Sequence, residues 1–209
     1  MLNAIVFDLD GTLVNTHHHI HHCFTYALEP FDLQATKELF ELIRHQSTHE
    51  LFSGFLKDHH AEEARNRLKE ITLTSLHHVT LYPGILELVA TLGEKNIPMA
   101  VWTGRDGNSA EQILKDNGIY HHFKKLMASC HVKNNKPSPD GLNSIIEELK
   151  FDPKKTLMVG DHLHDLLGAR GAGCFAALAK WGLDADLIPV GFDYNLEHPL
   201  EILQKFAFK

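Results

Sequence analysis

The sequence predicts an α/β protein in which a doubly wound parallel sheet carries an inserted helical lobe. Short and almost continuous apolar runs recur along the chain, a pattern typical of strands that are buried on both faces of a parallel sheet. Helical patterns separate most of these runs, as expected for alternating strands and helices. Residues 15–81 show helical periodicity and contain no convincing strand. We therefore expect one core interrupted by one helical insertion.

The core sheet is predicted from its apolar runs. They are Ala4–Phe7, Pro98–Trp102, Leu126–Ala128, Thr156–Val159 and Cys174–Leu178. The helices between them have recognisable ends, with proline or serine near the start and glycine after the last turn. We predict these helices at Ile85–Lys95, Ser109–Asn117 and Pro139–Leu149. In a sheet of this kind, ligands are expected at the carboxyl ends of the strands.

The inserted segment is predicted to be helical because its apolar residues recur at helical spacing. Three such stripes are Leu39, Phe40, Leu42 and Ile43; Leu51, Phe52, Phe55 and Leu56; and Leu68 with Ile71. The segment contains no low-complexity linker and no internal repeat. We therefore expect it to fold as a compact lobe.

Composition and charge exclude several classes of protein. The 209 residues are 44% apolar and 22% charged, which is an ordinary globular composition. The net charge of −7 argues against a general binder of nucleic acid or anionic membrane. Three widely spaced cysteines indicate neither a disulfide framework nor a cysteine zinc site. With no long apolar run and acidic residues within the first ten positions, we predict a cytoplasmic protein that binds small molecules.

The first candidate site follows the first apolar run. Asp8 and Asp10 are separated by one residue at the end of an extended strand, so both carboxylates point into the same small space. Like charges at such a distance need a cation or a shared proton, and hard oxygen ligands suit Mg²⁺. Gly11 lets the backbone approach a bound anion closely. The alternative is an aspartate-rich turn.

Three more candidates follow later strands. Thr103 and Gly104 could bind a phosphate oxygen, although a plain turn is also expected there. Lys136 precedes a helix and could supply positive charge to a phosphoryl group, or lie in solvent. Asp161 could complete a metal site or cap a helix, and Asp165 lies four residues later on the same helical face.

Taken together, these candidates favour a functional site. Each lies where a predicted strand ends, and in a parallel sheet those ends share one edge. Acids, a hydroxyl and a lysine that converge there are hard to explain by structural roles alone. We therefore expect a site that holds a divalent cation and a phosphate group.

The order of these motifs resembles that of the haloacid dehalogenase-like hydrolase superfamily, in its phosphoglycolate phosphatase-like branch. The matching segments are IVFDLDGTL, VWTG, KPSP and GDHLHD, and the resemblance extends over essentially the whole chain. The resemblance implies a Rossmann-like core formed by residues 1–14 and 82–209, with residues 15–81 as a helical cap. It also implies hydrolysis of a small-molecule phosphomonoester.

The family mechanism assigns roles to matching positions. Asp8 would be the nucleophile that forms an aspartyl-phosphate, and Asp10 would be the general acid and base. The resemblance implies that Mg²⁺ is held by the Asp8 carboxylate, the Asp10 backbone carbonyl and Asp161. Thr103 and Lys136 would bind phosphoryl oxygens. The remaining implied roles are metal support by Asp165 and substrate binding by Gly11, Thr12, Gly104 and Arg105.

Other functions remain open at this point. Family members that cleave carbon–halogen or carbon–phosphorus bonds generally lack an acid at the position of Asp10, so its presence favours a phosphate ester. A sugar phosphomutase shares this acid, but this chain has Ile20 where such mutases place a cap histidine. A receiver-type signalling domain and a catalytically silent regulatory member of the same fold are further alternatives.

Two features have more than one interpretation. Arg105 could bind a second anionic group of the substrate or lie on the surface. The histidines at 17, 18, 19, 21 and 22 could face the active site, bind a soft metal or form a solvated helix face. Neither feature identifies a substrate or a protein partner.

Overall fold

The chain divides into two compact units. The computed structural model describes residues 1–36, 38–39, 42, 48–183 and 189–208. The core unit comprises Met1–Asn15 and Thr80–Lys209, and the helical unit comprises Thr16–Val79. Phe40 and Ile43 of the first predicted stripe lie outside the described residues.

The core unit is built on a parallel sheet, which confirms the predicted fold class. Its six strands in the described part of the chain are β1 (Ala4–Phe7), β4 (Met99–Trp102), β5 (Phe123–Met127), β6 (Thr156–Gly160), β7 (Phe175–Ala179) and β8 (Tyr194–Leu196). Their order across the sheet is β5-β4-β1-β6-β7-β8, and each neighbouring pair is parallel. β1 is therefore central and every residue in it is buried. Two short strands, β2 (Val14–Asn15) and β3 (Thr80–Leu81), form a separate antiparallel pair.

Helices follow most strands of the core unit. They are α4 (Ile85–Glu94), α5 (Gly107–Asp116), α6 (Asp140–Leu149), α7 (Leu163–Ala172) and α8 (Glu201–Lys205). Helix α5 begins at Gly107 rather than at the predicted Ser109, because Asp106 is its N-cap and accepts a hydrogen bond from the Ser109 N–H. Burial acts to raise the pKa of Asp106, but hydrogen bonds from the Ser109 side chain and backbone outweigh it and hold that pKa below its usual value.

Strand β5 begins earlier than predicted and does not include Ala128. It is one of the two edge strands of the sheet, and most of its residues are only half-buried. The edge position admits Lys124 and Lys125, which interrupt the apolar run that the sequence pattern requires. β8 was not predicted because its only buried residue is Leu196, so it has no apolar run either.

The helical unit is held together by apolar packing between its helices. In the part of this unit that the structure describes, they include α1 (His17–Leu28), α2 (Thr48–Phe55) and α3 (Asp58–Thr74). Phe24 of α1 and Phe52 of α2 are buried in contact, with ring centroids 5.7 Å apart. Ala61, Ala64 and Leu68 of α3 complete the same cluster. None of the helices in the described part of the chain is both long and apolar enough to span a bilayer.

The histidine cluster is divided by helix geometry. His17, His18, His21 and His22 are exposed on α1. His19 is buried, and its Nε2 lies 2.9 Å from the Ser75 hydroxyl within the helical unit. The four exposed histidines therefore form a solvated helix face. His19 instead links α1 to Ser75, the residue that follows α3.

Candidate active site

The predicted acids and lysine meet at the carboxyl ends of the central strands. Asp8 follows β1, and Asp161 follows β6, which pairs with β1. The Lys136 ammonium donates hydrogen bonds to Asp8 Oδ1 and Asp165 Oδ1, each at 2.6 Å. The side chains of Lys136, Asp8 and Asp165 are 9%, 10% and 2% exposed, so the two ion pairs are buried.

Three buried carboxylates form the centre of this site. Oxygen atoms of Asp8, Asp161 and Asp165 all lie within 4.8 Å of one another. Burial, and then the charges of Asp165 and Asp161, raise the pKa of Asp8 well above its usual value, although Lys136 acts in the opposite direction. The pKa of Lys136 is also raised, because its two carboxylate partners outweigh the effect of burial. Three carboxylates beside one ammonium leave excess negative charge, which fits a hard divalent cation.

Asp161 is not the helix cap that the alternative interpretation proposed. His162 is the N-cap of α7, and its Nδ1 accepts a hydrogen bond from the His164 N–H at 3.2 Å. Asp165 completes the cap, because its Oδ2 accepts from the His162 N–H at 3.1 Å while its Oδ1 accepts from Lys136. The cap therefore fixes the orientation of the Asp165 carboxylate that contacts Lys136. The Asp161 carboxylate is left to join the acidic cluster.

Two glycines are required for this packing. Gly11 has φ of +78°, and a Cβ there would lie 2.4 Å from Asp161 Oδ2. A Cβ at Gly160 would lie 2.3 Å from Asp165 Oδ2. Ordinary contacts are about 3.4 Å or longer, so both positions must lack a side chain for the two carboxylates to keep their places.

Arg105 does not lie on the surface. Its Nε and Nη2 donate to the two carboxylate oxygens of Asp10 at 3.0 and 2.5 Å, and its side chain is only 11% exposed. Its backbone N–H donates to the Thr103 hydroxyl at 3.1 Å, and Thr103 is itself buried. The structure therefore joins the predicted substrate-binding arginine to the predicted general acid. Gly104, between them in sequence, has open space where a Cβ would stand.

The segment after β7 contacts the loop that carries Asp10, a feature that the sequence analysis missed. The Trp181 indole N–H donates to the Thr12 carbonyl at 2.8 Å. A Cβ at Gly182 would lie 2.1 Å from the Gly11 carbonyl oxygen, so the two backbones are in direct contact. The Thr12 hydroxyl is buried and has no hydrogen-bond partner among the described residues. A Trp-Gly pair one residue after the end of β7 was the available sequence signal.

This fold and site define a class of α/β hydrolases that carry acidic residues at the carboxyl ends of a parallel sheet. The sequence profile of the haloacid dehalogenase-like hydrolase family matches residues 5–179. The chain belongs to this family, which confirms the predicted superfamily and a hydrolase. Members of the family generally use a divalent metal, and the buried acidic cluster is present here.

Two phosphatase relatives are similar in sequence to this protein over most of its length. Pyrophosphatase PpaX of Halalkalibacterium halodurans is 30% identical, covering 87% of this chain and 85% of the relative. N-acetylmuramic acid 6-phosphate phosphatase of Pseudomonas putida is 29% identical, covering 96% and 94%. A haloacid dehalogenase-like hydrolase from Streptococcus pneumoniae has 26% identity and a TM-score of 0.84, covering 99% of both chains. A predicted phosphoglycolate phosphatase from Haemophilus somnus has the same fold, with 23% identity, a TM-score of 0.88, and 98% and 97% coverage.

Proposed function

We propose that this protein is a Mg²⁺-dependent phosphatase that hydrolyses a small phosphomonoester through an aspartyl-phosphate on Asp8. The observation that carries the proposal is the position of Lys136 between Asp8 and Asp165, with Asp161 in the same cluster. The named relatives support a phosphate substrate, since they include a pyrophosphatase and a sugar-phosphate phosphatase. The phosphoglycolate phosphatase-like branch, the cytoplasmic location and the cap role of the helical unit stay predictions.

The metal site would use the residues already in place. Asp8 and Asp161 would hold Mg²⁺ together with the Asp10 backbone carbonyl, and Asp165 would support them through Lys136. Bound there, the cation would offset the repulsion between the Asp8 carboxylate and a dianionic phosphoryl group. Arranged in this way, the carboxylates fit the preference of Mg²⁺ for hard oxygen ligands.

Asp8 would act first. One of its carboxylate oxygens attacks phosphorus, and the bond from phosphorus to the ester oxygen breaks. The Lys136 ammonium lowers the pKa of Asp8, in opposition to the larger effect of burial, and offers positive charge to the phosphoryl oxygens. Thr103 and the buried Thr12 hydroxyl would donate hydrogen bonds to the same group. The leaving alkoxide takes a proton from Asp10.

Asp10 would then act as a base. A water molecule attacks the phosphorus of the aspartyl-phosphate and gives its proton to Asp10, and inorganic phosphate leaves with regeneration of Asp8. Both oxygens of Asp10 accept hydrogen bonds from Arg105 in the structure. Each oxygen keeps a second lone pair that can take the proton, and an anionic group of the substrate would compete with Asp10 for the guanidinium.

The proposal is tested by hydrolysis of a generic aryl phosphate with Mg²⁺ and then with EDTA, followed by a panel of phosphorylated metabolites. We expect metal-dependent release of phosphate from the wild-type protein and none from Asp8→Asn. Asp106→Asn is the matched control, because it removes a carboxylate charge outside the acidic cluster and leaves a good helix cap. Near-full activity of a folded Asp8→Asn variant would refute the mechanism. No phosphate release from any ester would favour a mutase or a silent regulatory protein.

A further inference from the structure

Trp102 lies beneath the site lysine. It is the last residue of β4, directly before Thr103, and it is 2% exposed. The Lys136 ammonium lies over its indole ring, 4.6 Å from the ring centroid. A lysine cation at this distance from a tryptophan face is attracted by the ring quadrupole, and the attraction is larger where water is excluded. Lys136 is 9% exposed, so this condition is met.

Two helices leave space for this indole by means of glycine. A Cβ at Gly141 of α6 would lie 2.3 Å from Trp102 Nε1, and a Cβ at Gly168 of α7 would lie 2.3 Å from Trp102 Cη2. The edges of the ring are therefore enclosed by the two helices that flank the site. A ring enclosed in this way has a fixed orientation, and its face is fixed beneath the ammonium.

We propose that Trp102 is a positioning residue that holds the Lys136 ammonium between Asp8 and Asp165. The two carboxylates attract the ammonium at 2.6 Å each, and the indole face, with its centroid 4.6 Å away, limits the movement of the ammonium. The proposal rests on the proposed function, because the position of Lys136 matters most where charge develops on the phosphoryl group. Loss of the ring would allow the ammonium to move while leaving its charge and its carboxylate partners in place.

The first experiment compares Trp102→Leu, Trp102→Phe and Ile145→Ala by steady-state kinetics with an aryl phosphate and Mg²⁺. We expect Trp102→Leu to lower kcat by about tenfold with little change in KM, because misplaced catalytic groups slow the reaction step. Trp102→Phe retains an aromatic face and should recover kcat to within about threefold of wild type. Ile145→Ala removes buried volume from the same apolar cluster and should keep wild-type kcat. Equal kcat losses in the Leu and Phe variants, or an equal loss in Ile145→Ala, would overturn the proposal.

The second experiment detects the contact between Lys136 and the Trp102 ring without measuring catalysis. The chain has two tryptophans, so Trp181→Phe leaves Trp102 as the only indole fluorophore. Adding Lys136→Met to that variant removes the charge over the ring, and we expect the Trp102 emission to change in wavelength or intensity. An unchanged emission spectrum would refute the contact. A wild-type protein with no phosphatase activity would refute the proposed function instead, and the emission measurement would still decide whether the contact exists.

Discussion

Replacement of Gly11 with alanine tests whether the acidic cluster depends on close backbone packing. Gly11 has φ of +78°, and placing an L-residue in this region costs about 1–2 kcal/mol. The new methyl group would also lie 2.4 Å from Asp161 Oδ2. That carboxylate must then move by about 1 Å to reach ordinary contact, a displacement that can cost about 100-fold in rate.

Gly118→Ala is the matched control for this prediction. Gly118 has φ of +72°, but nothing lies within 4 Å of the position that a Cβ would occupy. Gly118→Ala should therefore lose about 1–2 kcal/mol in the free energy of unfolding, measured by urea denaturation, and Gly11→Ala should lose at least as much. Gly11→Ala alone should lower kcat/KM by about 100-fold and raise the Mg²⁺ concentration needed for half-maximal activity.

The comparison separates strain in the backbone from displacement of Asp161. If folded Gly11→Ala keeps the kcat/KM and Mg²⁺ dependence of Gly118→Ala, the contact with Asp161 has no functional importance and the reasoning is wrong. If Gly118→Ala also loses activity, the loss comes from left-handed backbone strain and not from the acidic cluster.

Three further predictions concern stability and reactivity. Asp106→Ala should lower the free energy of unfolding by about 1 kcal/mol through loss of the α5 cap, measured in urea. Because the pKa of Asp106 is lowered on folding, its contribution is complete above about pH 3.9 and is lost as pH falls through the lower folded pKa. Gly182→Ala should lower both stability and kcat/KM, since its Cβ would overlap the Gly11 carbonyl. A chromogenic disulfide reagent should modify exposed Cys130 rapidly in the native protein, whereas burial raises the pKa of Cys174 to about 12 and should block its reaction.

Each of these predictions has its own control. Asp106→Asn keeps the cap but does not titrate, so it should match wild type at neutral pH and show a smaller loss of stability in acid. A Gly54→Ala substitution in α2 adds a methyl group where nothing lies within 4 Å, and it should raise stability by about 0.5–1 kcal/mol. Denaturant should expose all three thiols to the reagent. Equal reaction of the three cysteines in the folded protein would contradict the burial argument.

Much of the fold could be predicted because central strands have a simple sequence pattern. β1 and β6 are buried throughout, and their apolar runs identify them. β5 and β8 lie at or near the sheet edges, where partial exposure permits lysine, asparagine and tyrosine, so the pattern fails there. The start of α5 was misplaced because Asp106, Asn108 and Ser109 are all good caps in sequence, and only the folded backbone selects one of them.

The sequence by itself determined the fold class, the superfamily and which acids follow strand ends, because these depend on local patterns and on motif order. Tertiary structure alone decided which side chains touch. It joined Arg105 to Asp10, set Lys136 over Trp102 and brought Trp181 to Thr12, contacts between residues 34 to 169 positions apart in the chain. Such pairings arise from the order of strands in the sheet and from the space left by glycines on neighbouring helices. The strand order and the glycine contacts cannot be deduced from any single segment of the sequence.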